Sequence, residues 1–475
     1  MKSNLNFYIE KEKKILADLA RYERQSGILS ILRLITFAGS AGFVIWGIAS
    51  KNIALNIIGA LIFVAFVVLC IIHGKISDNV RYLTELSKVV SSYIARIKGD
   101  FDALEKIRIS DLKRSDEIEN ARNRLYGKEF EEPSHYYCVD LDIFGKKSLF
   151  SLLNVSETAF GRRKFADALL NSEESDTGLE LLKAKQQAVE EFCSIPEVLM
   201  DYQATAGMGK MTKYPKALLD FSRNGAKTSS FANALGIIGC AVWLMVLIAF
   251  IAAPQYALSA IPVCMFVNLL IWIIGNKFNG RYIEACEGMP SQVSAILRLY
   301  LILEKAGFDT GTPIEVLKKL DDAIKISRLR SQPILAFLIN AILPLDYLIS
   351  FLLGNWADKY GKLLPGYIDR LAEYEALMCI AQTGLVFTES TFPEFVNSDA
   401  ISDNAVFEGE NLVHPLLDHD SVVSNSITIR NQILLLPENK IKHYGKIFKY
   451  YCQEGKHTKE SKRHKAHCRC PSFGY

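Results

Sequence analysis

The chain has 475 residues, and its 55 Lys and Arg set against 52 Asp and Glu leave a formal net charge of only +3. That balance gives the chain no strong overall field for coating nucleic acid, and the length allows two or three domains. Half of the residues are hydrophobic, the mean hydropathy is +0.13, and ten scattered cysteines, several inside apolar runs, exclude a disulfide framework and suit a reducing compartment.

Residues 1–27 carry Lys2, Lys11, Lys13, Lys14, Arg21 and Arg24 and read as a basic cytoplasmic N-terminus, without the short apolar core and small-residue cleavage site of a signal peptide. Residues 28–75 read as a transmembrane helical hairpin. Leu34 to Ser50 is uncharged, Lys51-Asn52 is a two-residue polar break, and Ile53 to Ile72 is a second uncharged run. Each run is about the length that crosses a hydrocarbon core, and the basic N-terminus and Lys75 both fall on the cytoplasmic side. Residues 76–133 read as an amphipathic linker helix. Val80, Leu83, Leu86, Val89, Val90, Tyr93, Ile94 and Ile97 recur with heptad-like spacing, which fits either a coiled coil or an ordinary surface helix.

Residues 134–227 form the next segment. Ser156 is a plausible N-cap, and Phe165, Ala168 and Leu169 then fall on one face of a helix. No charge occurs between Lys227 and Lys277, and Ala253-Pro254-Gln255 divides that interval. Residues 228–276 therefore read as a second transmembrane hairpin, Phe231–Ala252 and Ala257–Gly275, with Arg223, Lys227, Lys277 and Arg281 on the same side as before. In residues 277–382 a fifth apolar patch, Ile334–Leu353, is interrupted by Pro344 and Asp346. An aspartate in mid-span costs several kcal/mol in lipid, so the patch reads as soluble-domain core. From 383 to 436 short β-rich pieces appear at Val386-Phe387, Ala405–Phe407, Val422-Val423, Ile427–Ile429 and Ile433–Leu436, separated by turn formers.

The most specific wording is L-F-x-L-L-N-x-(S/T)-x-T-A-x-G-x-R, Leu149 to Arg163. It resembles the opening of the core and lever region of the MutS family, clamp-shaped dimeric ATPases that bind DNA. Lys185 to Glu191, Tyr374-Glu375-Ala376-Leu377, Thr391 to Phe395, His414-Pro415-Leu416-Leu417, Ser424 to Ile427 and Ile433 to Leu436 extend the resemblance over most of 139–436. It implies that 134–227 and 277–382 are the two parts of a MutS-like core and lever domain, and that 383–436 starts an α/β ATPase domain. The fold class expected is thus mainly α: two transmembrane hairpins, a helical core and lever domain, and an incomplete P-loop-type fragment. The resemblance also implies a homodimer, DNA as a partner beside membrane lipid, and ATP with Mg in intact relatives. His414 and Pro415 match the family turn near the nucleotide base; taken alone they are a turn with a satisfied imidazole.

The phosphate loop expected after Ile433–Leu436 is missing. G-x-x-x-x-G-K-[ST] needs glycines to wrap the phosphates and a hydroxyl for Mg²⁺, but Lys440 stands at the first glycine and Ile447 at the hydroxyl. Residues 437–475 are also too few for the rest of such a domain, and they form a basic tail without periodicity. The tail reads as aberrant and disordered, from a shifted frame or a replaced end. Its His464, His467, Cys468 and Cys470 match no zinc spacing. Two further motifs read as structural: Ala204 to Met211, which contains Gly209-Lys210, and the Phe-x-Glu triplets at 130, 387 and 392. The expectation is a membrane-anchored MutS-like protein, in a bacterial plasma membrane with its bulk cytoplasmic, that carries no catalytic residues and no cofactor and does not hydrolyse ATP. A non-catalytic membrane scaffold or dimerisation protein is the alternative.

Overall fold

The computed structural model describes residues 2–133, 135, 137–170, 179–209, 211–224, 230–252, 261–274, 289–311, 313–327, 333–342, 345–387, 389–394, 405–417 and 422–430. The phosphate-loop region and the basic tail lie outside these residues, as does the proposed strand Ile433–Leu436. The protein is mainly helical, and its residues divide into two compact units. Unit 1 is Met1–Ser156, Arg162–Ala204 and Glu375–Tyr475, and unit 2 is Glu157–Gly161 with Thr205–Tyr374.

Unit 1 begins with α1 (Lys2–Ala49) and α2 (Ile53–Ile97), helices of 48 and 45 residues. At 1.5 Å per residue each is about 70 Å long, more than twice a hydrocarbon core of about 30 Å. The expected boundaries at residues 27 and 75 therefore fall inside continuous helices. No proline or glycine pair interrupts the hydrogen-bond ladder where the apolar run gives way to the charged one. Asn52 caps α2 by accepting from the Ala54 amide at 3.0 Å.

The amphipathic stretch does not continue as one helix to residue 130. It stops at Ile97, because Gly99 takes φ +64 and the Gly99 and Asp100 amides turn back to the Arg96 and Ala95 carbonyls at 3.0 and 2.9 Å. Asp100 then caps α3 (Phe101–Ile109), and α4 (Ser115–Tyr126) folds back on it. Ala95, Leu104, Leu125 and Tyr126 pack together at this corner. Burial of that kind, on one stripe of α2, favours the surface-helix reading over a coiled coil within this chain.

The central stretch starts with a capping box. Ser148 and Ser151 each accept from the other's backbone amide at 3.1 Å, which opens the short α5 (Leu149–Leu153). The following α6 (Ala159–Leu170) is capped by Thr158, whose hydroxyl oxygen accepts from the Gly161 amide at 3.0 Å. Ser156 is thus not the cap. Phe165 and Ala166 are fully buried while Ala168 is exposed, so the apolar face is turned one residue from the expected one. The Phe165 ring stacks on Phe150 at 5.4 Å. Unit 1 continues with α7 (Leu179–Ser194) and the start of α8 (Pro196–Gly209).

Unit 2 holds α9 (Lys216–Asn224), α10 (Ser230–Ala252), α11 (Ile261–Ile274), α12 (Met289–Lys305), α13 (Pro313–Ser327), α14 (Pro333–Ile342) and α15 (Leu345–Tyr360). Within unit 2, α13 packs against α12 and against α15. The Trp356 indole stacks on Phe221 and donates to the Val316 carbonyl at 2.8 Å. α16 (Leu364–Val386) follows a short turn at 361–363. It includes Val386, which the sequence reading had placed in a strand.

Two strands, β1 (Ala405–Leu412) and β2 (Asn425–Arg430), pair antiparallel with Glu408 opposite Thr428 and Gly409 opposite Ile427. They include the expected pieces at Ala405–Phe407 and Ile427–Ile429; Val422-Val423 lies just outside. Among the described residues they are the strands that form, and the α/β character of 383–436 is otherwise not seen.

Candidate functional site

The feature that sets this protein apart is how the α1–α2 pair changes character along its length. In the part nearest the Lys51-Asn52 turn the large side chains point outward: Leu34 is 69% exposed and Ile53 74%. A row of exposed Ile, Leu, Val and Phe runs on both helices from about Ile31 to Ile72, far beyond what a water-soluble monomer leaves uncovered. Both helices are long and apolar enough to cross a membrane.

Polar links and a close backbone approach join the pair there. The Ser40 hydroxyl donates to the Gly59 carbonyl at 2.9 Å, a polar link between helices in an apolar stretch. Gly59 permits that approach, since a β-carbon there would lie 2.7 Å from Val44 Cγ2 and 3.1 Å from the Val44 amide nitrogen. Nearer the charged ends, Arg33 Nη1 lies 2.7 Å from His73 Nδ1. Arginine can only donate, so His73 Nδ1 accepts, and its Nε2–H is left to donate to Ser26 and Ser30 at 3.2 and 3.1 Å. The guanidinium of Arg33, which interrupts an otherwise apolar run, thereby has a partner on the neighbouring helix.

The same two helices then enter a polar core. The rings of Tyr8 (α1) and Tyr93 (α2) stack at 5.0 Å, and Asn4 donates to the Leu385 carbonyl at 3.0 Å. Tyr93 is fully buried, and its phenol oxygen accepts from Gln203 Nε2 at 2.9 Å and Gln382 Nε2 at 3.1 Å. One turn on, Arg96 is only 2% exposed and donates to the carbonyls of Leu152 and Asn154 at 2.8 and 2.7 Å. A cation thus sits at the C-terminus of α5, where unpaired carbonyls and the helix dipole favour it.

Glu375 of α16, 1% exposed, accepts from the Ser156 hydroxyl and from the Tyr202 hydroxyl, the latter at 3.1 Å. Beside it the Cys379 thiol accepts from the Val155 amide at 3.4 Å, and burial pushes that thiol up to about 12. It is an inert core group at neutral pH. The cluster joins buried donors and acceptors, with Asn154 and Ser156 of the family-like wording held by Arg96 and Glu375, and leaves Gln382 Oε1 buried without a partner. The Ser156 hydroxyl in this pair is buried.

A second charged group lies at the α3–α4 corner. Glu105 accepts from Tyr126, from Arg122 Nε at 2.6 Å and from Lys146 at 3.3 Å, while Lys146 also pairs with Asp102 at 2.8 Å. The Tyr126 hydrogen bond above all, then those from Arg122 and Lys146, hold the Glu105 carboxyl down at about 2 against the opposing effect of burial.

His414 and Pro415 lie in the turn that follows β1. His414 Nδ1 accepts from the Leu416 amide at 3.3 Å, and its carbonyl from the Leu417 amide at 3.2 Å. This is a local turn with the imidazole engaged on its own backbone. The Ala204–Met211 stretch is helical to Gly209, whose α-carbon faces the Ala295 methyl, and Ala204, Ala206 and Met211 are buried. Phe130 packs its ring near Phe144 and Phe150, in a core and not at a wedge. Among the described residues no group of three His, Cys, Asp or Glu is placed to hold a metal ion.

No family model, curated protein or solved structure matches the chain. The functional reading therefore rests on its own residues. Sequence reasoning found the apolar runs, Ser156 and the helical position of Tyr93, but it missed the polar roles of Tyr93, Arg96, Gln203 and Gln382. An arginine and two glutamines in otherwise amphipathic helices look like solvated residues unless their neighbours in space are known.

Proposed function

We propose that this chain is a membrane-anchored scaffold of MutS-like core and lever design, a multi-pass protein of a bacterial plasma membrane with its folded bulk on the cytoplasmic side. The observation that carries the reading is the α1–α2 pair, which is apolar and uncovered over a membrane's thickness and embedded in a polar core beyond it. The clustering of Arg33, Lys75, Arg223 and Lys277 beside the apolar runs supports the orientation. The second hairpin, α10 with α11, supports the multi-pass topology. The MutS-like part rests on the wording of Leu149 to Arg163, whose polar residues Asn154, Ser156 and Arg162 are buried.

On that reading the chain pairs with a second copy through its levers and handles DNA without turning over ATP, because residues 437–447 do not spell a phosphate loop. Membranes carrying the protein, washed at alkaline pH, should retain it until detergent is added. Full release without detergent overturns the anchor. Purified protein in detergent should show no ATP hydrolysis above a detergent blank, and turnover above the blank overturns the non-catalytic reading. DNA binding that falls steeply with the logarithm of salt concentration is expected of a DNA-handling clamp. Self-crosslinking without any DNA binding favours the alternative, a dimerisation scaffold with no nucleic-acid partner.

A further inference from the structure

The fifth apolar patch, Ile334–Leu353, lies in unit 2. It folds as two short helices, α14 and α15, and within unit 2 both lie against the second apolar hairpin. The Tyr347 hydroxyl donates to the Ile271 carbonyl at 2.9 Å, Asn268 Nδ2 to the Ile342 carbonyl at 3.4 Å, and Trp272 sets its ring edge-on to Phe337. Gly236 of α10 meets Tyr347 so closely that a β-carbon there would lie 2.8 Å from Tyr347 Cβ.

The argument against lipid for this segment was Asp346, and the structure removes it. Asp346 is buried in the first turn of α15, where a carboxylate faces the positive end of the helix dipole. Trp272 Nε1 donates to its Oδ2 at 2.7 Å and Asn340 Nδ2 to its Oδ1 at 3.4 Å, while the Asp346 amide donates to Asn340 Oδ1 at 3.2 Å. The buried carboxylate is therefore shielded by two neighbouring elements, α11 and α14.

What the two helices leave outward is apolar. Phe337 and Phe351 are 46% and 54% exposed, with Ile342 and Leu348 beside them. The neighbouring α10 and α11 likewise leave large apolar side chains exposed at Ile237, Ile248 and Phe266. α14 has ten residues and the apolar part of α15, Leu345–Trp356, twelve, so they reach about 15 and 18 Å, half of a hydrocarbon core each. The charges flank the pair on its two chain ends, Arg328 and Arg330 before it and Asp358 and Lys359 after it, and the joining residues Leu343 and Pro344 carry none. A segment built this way goes in and comes out on one side.

We propose that α14 and α15 form a re-entrant helical hairpin that inserts into one leaflet beside α10 and α11, with lipid acyl chains covering Phe337, Ile342, Leu348 and Phe351. The proposal rests on the membrane reading above and extends it to a segment that does not span. At the two helix ends that flank the joining residues, Asn268 and Trp272 of α11 bind the Ile342 carbonyl and the Asp346 carboxylate, as polar groups at membrane depth require.

The test uses the native full-length chain in phospholipid vesicles that contain a lipid with a diazirine on its acyl chain. After photolysis and tryptic digestion, label is read on peptides 34–51, 52–75, 228–277 and 331–359, with 299–305 as an apolar but soluble-core control. The expected result is label on 331–359 as strong per residue as on 228–277. Label on 34–51, 52–75 and 228–277, with 331–359 no higher than 299–305, overturns the re-entrant hairpin and leaves the anchor standing, as would be found if a second copy of the chain covered the face. Label on none of the four overturns the anchor and this proposal together.

Discussion

The Tyr93 phenol oxygen is the shared acceptor for two buried amides, Gln203 and Gln382, whose own positions lie 110 and 289 residues away in sequence. Replacing Tyr93 with Phe keeps the stacked ring against Tyr8 but strands both donors, so Tyr93→Phe should cost about 1–3 kcal/mol. Denaturant unfolding of the full chain in detergent, followed by circular dichroism, would show it. Glu105 makes a pH-dependent contribution. Its carboxyl is held at about 2 in the fold against 4.5 in the unfolded chain, so its stabilisation is complete above 4.5 and is lost as pH falls through about 2. Glu105→Gln should remove part of the acid sensitivity between those values and leave the slope at neutral pH unchanged, as read from melting temperature against pH. Little of this was visible in the sequence. Glu105, Arg96 and Glu375 are charged residues in helical patterns, and a pattern assigns charge to the solvated face. Only the fold shows that Arg96 closes the end of α5 and that Glu375 meets Ser156.

At the scale of elements the apolar runs told the truth about existence and not about ends. Leu34–Ser50 and Ile53–Ile72 do lie in helices, yet nothing in the residues that follow stops α2 before Gly99, and nothing before Leu34 starts α1 anew. A hydropathy change is a change of solvent, not of backbone geometry, and so it leaves no cap to read. In the fifth patch the sequence shows Asp346 as a bare charge, whereas in the fold Trp272 and Asn340, 74 and 6 residues away, take up its oxygens. The α1–α2 contact gives a direct prediction. Gly59→Leu places a branched side chain where Val44 and the Ser40 carbonyl already stand, and it should separate the helices and lower stability by about 1–3 kcal/mol or more. Disulfide trapping between cysteines placed at Ser40 and Gly59's neighbour Ile58 should be efficient in the parent background and lost when Gly59→Leu is added.

For the whole molecule, the outline of a mainly helical protein with apolar spans was legible, whereas the family-like wording has no independent counterpart among known proteins. Removing the Trp272 donor tests how unit 2 depends on its shielded carboxylate. Trp272→Phe leaves one oxygen of Asp346 without that indole, and the chain should lose thermal stability by an amount corresponding to about 1–3 kcal/mol, with little change on further adding Asp346→Asn if the two act as a pair. A mechanical corollary attends the long second helix. On the proposed membrane reading α2, which has no joint between Gly59 in its apolar stretch and Tyr93 and Arg96 in the polar core, acts as a push-rod. A bilayer that thins or thickens enough to shift it by a single helical turn would drag Arg96 about 5.4 Å from the carbonyls it holds, so membrane thickness becomes a mechanical load on the interior of the folded body.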